Sequence, residues 1–220
     1  MTPPAKLAPG LLLTGCAGFV DAIGFVELHG AYISFMSGNT TRLGTVLAAG
    51  DWLAALLPAA LIAMFFIGGF AGSFVAVSAR RWGSVLVLGS VVAVMAVSIG
   101  LSLSGFTPAE AMIGLAFVTG AQNAILQPAG SARLGATFVT GTLFAAAQDL
   151  AHALRRKAPA WRWVQHILVW ASLCLGGLAG AMGDGRWGIP ALLLPAAIYL
   201  HFFVGSLMGA LRQPGRSDSN

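Results

Sequence analysis

An acidic residue, Asp21, lies near the start of the chain within an apolar stretch that runs from Leu7 to Leu28. An ionised carboxylate at the centre of a membrane helix costs about 2.5–3.5 kcal/mol on insertion scales, and such residues usually carry function. One hypothesis is therefore an ion- or proton-coupling carboxylate whose ionisation responds to its apolar surroundings. The alternative is a structural hydrogen bond between helices.

Two amides occur in a matching context about 100 residues later. The run Gly120-Ala-Gln122-Asn123-Ala124 resembles the run Gly18-Phe-Val-Asp21-Ala22, so that Asn123 takes the place of Asp21. If the two halves of the chain form an inverted repeat, we expect Asp21 and Asn123 to face each other across the pseudo-two-fold axis, near the midplane of the membrane. Gln122 then belongs to the same candidate site.

The densest group of polar side chains follows Asp21 and has a shorter counterpart in the second half. An amide, hydroxyls and a guanidinium can bind a polar or anionic solute, since arginine offers a fixed fork of donors. They can equally cap a broken helix, with the arginine reaching the interface. The residues are Ser37, Asn39, Thr40, Thr41 and Arg42 in the first half and Thr140 and Thr142 in the second.

Other titratable residues give weaker indications. Asp149, His152 and Arg155 follow one another at helical spacing, which fits a proton relay but better fits an interfacial salt-bridged face. His166 and His201 have no partner visible in the sequence, and no two histidines share the spacing of a metal site. Catalytic and phosphate-binding motifs are also missing, so the sequence predicts neither an enzyme nor a bound cofactor.

The elements that must position these residues are membrane helices. Of the 220 residues 57% are hydrophobic and 9% are charged, and the mean hydropathy is +0.83. A soluble domain carries about 25% charged residues. No ionisable side chain occurs in 52–79 or in 82–108, and each run exceeds the roughly 20 residues that cross a bilayer. The lipid bilayer is thus the first predicted partner.

Basic residues cluster at the ends of the apolar runs, as they do in cytoplasmic loops, and the net charge of +5 indicates no nucleic-acid binding. Cys16 and Cys174 both lie in apolar runs, which argues against a disulfide framework. The run Leu13-Thr-Gly-Cys16 resembles a lipoprotein cleavage box, but apolar residues continue beyond it, so we expect the first span to be retained.

Six apolar segments alternate with two stretches rich in Gly, Ser and Thr at 30–50 and 129–154. The segments are Leu7–Leu28, Trp52–Ala79, Gly83–Gly105, Ala111–Leu126, Val164–Met182 and Trp187–Leu211.

An internal repeat divides the chain into residues 1–107 and 108–220 within one compact membrane domain. Four blocks recur in the same order at offsets of 102 to 108 residues. They begin at Gly18 and Gly120, Phe35 and Phe138, Gly68 and Gly176, and Arg81 and Arg186. The glycine-rich third block indicates closely packed helices.

The repeat allows eight spans in two parallel halves, if both Ser/Thr-rich stretches cross the membrane, or six spans in two inverted halves, if neither does. The positions of the positive charges decide between these two arrangements. If neither Ser/Thr-rich stretch crosses, Lys6, Arg80–Arg81, Arg133, Arg155–Arg162 and Arg212 fall on one side, and only Arg42 and Arg186 on the other. The predicted fold is therefore an all-α membrane protein of six transmembrane helices. It consists of two inverted three-helix repeats, each with a re-entrant or broken segment at which Gly38 and Gly141 mark the break. Both termini are expected in the cytoplasm.

The motifs resemble those of the YoaK family of bacterial membrane proteins, and the resemblance covers nearly the whole chain. It rests on Asp21-Ala-Ile-Gly24, on the run from Ser34 to Gly44, on Gly120–Ala124 and on Thr140-Gly-Thr142. The second half departs from the family's fuller Thr-Tyr-Val-Thr-Gly-Thr run, reading Ala136-Thr-Phe-Val-Thr-Gly-Thr142. The resemblance implies a cytoplasmic-membrane protein of about six helices and no particular activity.

Two functions remain open from the sequence. The first is a transporter or channel for a small polar solute or an ion, with its site where the repeats meet. The second is a membrane scaffold or assembly factor, in which the polar motifs only satisfy packing. Homo-oligomerisation is compatible with both.

Overall fold

The chain folds into a bundle of α-helices. The structure is a computed structural model that describes residues 4–79, 81–124, 139–157, 159 and 161–212. All secondary structure in these ranges is helical. The helices are α1 (Pro4–Glu27), α2 (Met36–Ala48), α3 (Trp52–Ser78), α4 (Gly83–Leu103), α5 (Pro108–Gln122), α6 (Val139–Leu154), α7 (Arg162–Trp187) and α8 (Leu193–Arg212), with a 3₁₀ turn at Ile189–Leu192.

Within the described ranges, five helical stretches are long and apolar enough to cross a membrane. They are Leu7–Glu27, Trp52–Ser78, Gly83–Leu103, Arg162–Trp187 and Ile189–Arg212. The fourth of the six predicted segments forms α5, whose 15 residues extend about 22 Å at 1.5 Å per residue. Ile125 and Leu126, the end of that segment, lie outside the described residues. The chain is therefore a multi-pass membrane protein.

Large apolar side chains cover the outside of the bundle. On α3 the exposed fractions are 75% for Phe66, 67% for Phe70 and 80% for Val77. A water-soluble monomer rarely exposes contiguous apolar patches of this kind. These side chains contact the lipid bilayer.

The core lies where α1, α4, α5 and α8 meet. Ile23, Met95, Met112 and Leu115 are each at most 1% exposed, and so is Tyr199 from α8. Helices α3 and α5 begin with hydrogen-bonded caps, as Asp51 accepts from the Ala54 amide and Thr107 and Glu110 form a capping box.

Two helix pairs approach so closely that their backbones touch. A Cβ on Gly18 of α1 would collide with the carbonyl oxygen of Leu173 in α7, and a Cβ on Gly120 of α5 with that of Phe65 in α3. Small residues permit this approach in membranes, where helix association depends on close packing. Each pair joins a helix from one sequence half to a helix from the other.

The touching residues are those that the internal repeat matches. The α1–α7 contacts and the α3–α5 contacts correspond one to one at the repeat offsets of 102 and 108 residues. The matched pairs are Gly18·Leu173 with Gly120·Phe65, Gly176·Gly15 with Gly68·Phe117, and Gly180·Phe19 with Gly72·Ala121. In each of the two pairs, a helix of one half therefore packs in an equivalent way against a helix of the other half.

Helix directions follow from the order of these contacts. The contacts Gly15·Gly176, Gly18·Gly177 and Phe19·Gly180 rise together in number, so α1 runs parallel to α7. The contacts Gly68·Phe117, Gly69·Gly120 and Gly72·Ala121 do the same, so α3 runs parallel to α5. Arg81, just before α4, donates from Nε to the carbonyl oxygen of Ala210 near the end of α8 at 2.5 Å. Gly89 of α4 lies against Phe203, so α4 and α8 run antiparallel.

We expect Gly18→Val to separate α1 from α7, because a branched side chain cannot fit against the Leu173 carbonyl. Overpacking of this kind costs about 1–3 kcal/mol. Melting of the purified protein in detergent measures the loss. Gly120→Val, at the equivalent position of α5, should destabilise to a similar extent.

Gly100→Val is the matched control, since a Cβ at Gly100 of α4 meets nothing within 4 Å. Equal melting temperatures for the Gly18 and Gly100 variants would contradict the close α1–α7 contact.

Candidate functional site

The helix is interrupted between α1 and α2, over residues 28–35. His29 and Gly30 have φ values of 52° and 90°, and the Gly30 amide donates to the carbonyl oxygen of Phe25 at 2.8 Å. Left-handed backbone of this kind ends a helix and turns the chain. Helix α2 then restarts at Met36.

The predicted position of the break was wrong by a few residues. Gly38 lies in the first turn of α2 and Gly141 in the first turn of α6. A Cβ on Gly38 would come within 2.8 Å of the Tyr32 ring and 2.9 Å of the Phe35 ring. Gly38 thus makes room for two aromatic rings. In the second motif, residues 129–138 lie outside the described residues.

Asp21 holds the interrupted segment in place. Its Oδ1 accepts hydrogen bonds from the backbone amides of Ile33 at 2.9 Å and Ser34 at 2.6 Å, and its Oδ2 accepts from Ser34 Oγ at 2.6 Å. Unwound backbone within a membrane protein is stable only where its polar groups are satisfied by protein or by water. The carboxylate supplies acceptors for two such amides.

Asn39 completes the same task from α2. Its Oδ1 accepts from the Tyr32 amide at 2.9 Å and its Nδ2 donates to the Tyr32 carbonyl oxygen at 2.7 Å. The side chain is fully buried, with 0% exposure. The side-chain amide of Asn39 therefore bonds to both backbone polar groups of Tyr32, as a neighbouring β-strand would. It has little hydrogen-bonding capacity left for a solute.

Two further side chains bind carbonyl oxygens of the interrupted segment. Arg42 donates from one guanidinium nitrogen to the carbonyl oxygens of Leu28 at 3.2 Å and His29 at 2.9 Å. A cation is favourable there because carbonyls at a helix C-terminus carry partial negative charge. Thr119 of α5 donates to the carbonyl oxygen of Ile33 at 3.1 Å, which ties the segment to the core.

The remaining polar residues of α2 point outward. Ser37, Thr40 and Thr41 are exposed. The hydroxyls of Thr40 and Thr41 donate to the carbonyl oxygens of Met36 and Ser37 in their own helix. Of the predicted polar cluster, Asn39 and Arg42 are thus occupied by backbone groups.

A cavity of about 490 Å³ borders the interrupted segment. Its walls come from α1, from the segment itself, from α6 and from α7, so both halves of the chain contribute. Asp21 lines it on one side and Thr140 on another, while Asn39, Thr40 and Arg42 are absent from its described lining. The other described lining residues are Gly18, Ala22, Phe25, Val26, Tyr32, Phe35, Val139, Leu173, Cys174, Gly177 and Ala181.

The amides of α5 lie at the end of that helix. Gln122 is buried and accepts a hydrogen bond from the Tyr199 hydroxyl at 2.6 Å. Asn123 donates to the carbonyl oxygen of Thr119 at 3.1 Å. Thr142 is buried on α6. Tyr199 of α8 is a partner that the sequence analysis missed.

The carboxylate of Asp149 contacts side chains of α7 rather than side chains of its own helix, α6. Its Oδ2 lies 3.0 Å from Arg162 Nε and 3.3 Å from His166 Nε2, both on α7. His152 and Arg155 are exposed, so the predicted salt-bridged face of Asp149 with them was wrong. His166, whose partner the sequence did not reveal, pairs with Asp149. The i, i+4 spacing of Arg162 and His166 was the available signal.

A second acidic contact lies at the far end of α1. The carboxyl groups of Glu27 and Asp184 lie close together, so the end of α1 meets α7 there. This contact could not be predicted from the sequence, because nothing in the chain indicates that these two helices meet. No group of three or more potential metal ligands occurs among the residues that the structure describes.

We expect Asn39→Leu to destabilise the protein by about 2–4 kcal/mol, since leucine leaves the amide and the carbonyl of Tyr32 buried without partners. Thr40→Val is the matched control, because its exposed hydroxyl bonds only to its own helix. Thermal unfolding in detergent compares the two. A loss for Asn39→Leu no larger than for Thr40→Val would contradict the role of Asn39 in holding Tyr32.

Comparison with known proteins agrees with a membrane protein. A family described as "Protein of unknown function (DUF1275)" matches residues 10–211. A UPF0700 transmembrane protein of Rhizobium meliloti (strain 1021) is 31% identical over 194 residues, which cover 83% of this chain and 81% of that protein. No solved structure matches the chain. The chain therefore belongs to the DUF1275 family of membrane proteins, which includes the YoaK proteins that its motifs resemble.

Proposed function

We propose that the chain crosses the membrane six times as two inverted repeats, with α2 and α6 dipping in from opposite faces. The antiparallel contact of α4 with α8 supports this topology, because these helices occupy equivalent places in the repeat. If α2 and α6 also crossed, every second helix would share one direction and α4 would run parallel to α8. The parallel pairs α1–α7 and α3–α5 fit six crossings as well.

The orientation follows from charge. Six crossings place the start of α4 and the loop between α6 and α7 on one side, and both carry basic residues. Such loops face the cytoplasm in bacterial inner-membrane proteins. The turn between α2 and α3 and the turn between α4 and α5 then face outward.

Cysteine labelling tests the topology in a background where Cys16 and Cys174 are replaced by alanine. We expect Trp82→Cys and Lys157→Cys to react only when reagent reaches the cytoplasmic side. Ala49→Cys and Phe106→Cys should react in intact cells. Labelling of positions 82 and 157 from opposite sides would contradict six crossings.

For the function, we propose a transporter of a small solute or an ion. The carrying observation is the cavity of about 490 Å³, which both repeats line and which the interrupted segment borders. Helix breaks at matching places in inverted repeats commonly form substrate sites near the membrane centre. A volume of this size suits a small molecule, since ligand sites span about 300–1,000 Å³.

Within this proposal Asp21 carries the charge that a substrate or a coupling ion meets. It lines the cavity and also holds Ile33 and Ser34, so binding at its carboxylate is coupled to the position of the interrupted segment. Thr140 offers a hydroxyl from the opposite repeat.

The rival function, a membrane scaffold or assembly factor, has an observation of its own. The polar groups of Asn39 and Arg42 are used by internal backbone bonds, and most of the cavity lining is apolar. Under this alternative Asp21 acts only on stability.

Asp21→Asn separates the two functions. An asparagine Oδ1 can accept from the amides of Ile33 and Ser34, and its Nδ2 can donate to Ser34 Oγ, so the segment should stay folded without the charge. We expect solute-induced currents in proteoliposomes, recorded over a panel of inorganic ions, amines, carboxylates and sugars, to fall at least tenfold in this variant.

The control is Ser172→Ala, whose hydroxyl bonds to the carbonyl oxygen of Leu11 outside this cavity. Its current per folded molecule should match that of the unmodified protein. No current from any solute, or a current that survives Asp21→Asn, would favour the scaffold.

A further inference from the structure

We propose that the cavity beside Asp21 binds an organic cation with an aromatic or similarly apolar body. The inference deepens the proposed transport function by naming a substrate class, and it rests on the same cavity. Binding can nevertheless be measured without transport.

The charge of Asp21 is the first argument. Its three hydrogen bonds all come from donors, namely the Ile33 amide, the Ser34 amide and the Ser34 hydroxyl, so the carboxylate needs no proton to make them. Among the described residues, ion pairs within 4.0 Å involve Asp149, and none involves Asp21. The nearby Arg42 is held by carbonyl oxygens of Leu28 and His29. A carboxylate in apolar surroundings is costly unless a cation compensates it.

The aromatic side chains are the second argument. Phe25, Tyr32 and Phe35 line the cavity together with Asp21. Their rings form a continuous group, with centroids 5.1 Å apart for Phe25–Tyr32 and 5.2 Å apart for Tyr32–Phe35. Aromatic faces attract cations through their quadrupole, most strongly where water is excluded.

The rest of the lining sets the size and polarity of the ligand. Gly18, Ala22, Gly177 and Ala181 provide flat walls without projecting side chains. Thr140 is the sole further hydroxyl on the described lining apart from that of Tyr32. An inorganic ion would find few oxygen ligands here, whereas one charged nitrogen on an apolar body matches one carboxylate among apolar walls.

The experiment uses N-methyl-4-phenylpyridinium as the probe, because its charge is permanent and its body is aromatic. Biphenyl-4-carboxylate is the control of similar size and opposite charge. Binding to the purified full-length protein in detergent is measured by isothermal titration calorimetry. We expect the cation to bind at least tenfold more tightly than the anion.

Two variants locate the binding. Asp21→Asn should weaken the cation at least tenfold, and Phe35→Leu should weaken it severalfold by removing one ring. Ser172→Ala should leave the affinity unchanged, since that side chain lies outside this cavity.

Cys174 provides an independent readout, since it is exposed and lines the cavity, while Cys16 is buried. The bound cation should slow alkylation of Cys174 by N-ethylmaleimide at least threefold, and the carboxylate should not.

Each outcome bears on the inference. Equal binding of cation and anion would identify an apolar cavity for lipid and overturn it, as would undiminished cation binding by a folded Asp21→Asn variant. Cation binding that depends on Asp21, without uptake in proteoliposomes, would uphold the inference and refute the transport function. Uptake of other solutes without cation binding would uphold the transport function and refute the inference of a cation site.

Discussion

The backbone of residues 28–35 must find hydrogen-bond partners inside an apolar bundle, and the arrangement of the first half depends on this requirement. Water is scarce inside an apolar bundle, so an unwound segment is stable there only where side chains take the place of water as hydrogen-bond partners. Asp21 accepts hydrogen bonds from the amides of Ile33 and Ser34, and Asn39 accepts one from the amide of Tyr32. Thr119 and Arg42 donate to carbonyl oxygens of the segment. These bonds determine where α2 restarts and how it returns toward α3.

The glycine contacts provide the second constraint. Because α1 and α7 touch at Gly18 and Leu173, the cavity that opens beside this contact has walls from both halves of the chain. The same glycine therefore brings the helices together and forms part of the cavity wall. Gly120 of α5 approaches Phe65 of α3 in an equivalent way.

Asp21 and Asn39 have side chains of similar shape, but they differ in the polar group that each leaves available to a ligand. The amide of Asn39 donates once and accepts once with Tyr32, which matches one backbone residue and leaves no charge. Asp21 accepts three hydrogen bonds and has no ion-pair partner within 4.0 Å among the described side chains. A structural role and a binding role are thus compatible in one residue. The charge, rather than the hydrogen bonds, distinguishes a transporter from a scaffold.

Several features followed from the sequence alone. Composition and the length of the apolar runs determined a helical membrane protein, since a bilayer requires apolar helices with internally satisfied backbones. The repeat identified which glycines correspond, and the polar motif indicated a helix interruption, which the structure places at residues 28–35, a few residues before the predicted Gly38. Asp21 was identified as the outstanding residue by its cost in an apolar helix.

Tertiary structure decided which side chains meet. The partners of Asp149 are Arg162 and His166 on α7, and Glu27 meets Asp184, because helix pairing brings together residues that are distant in the chain. It also decided that Asn39 and Arg42 serve the backbone while Thr140 reaches the cavity. A sequence shows that a polar group needs a partner. Only the packing of the helices determines whether that partner is a peptide group, another side chain or space for a ligand.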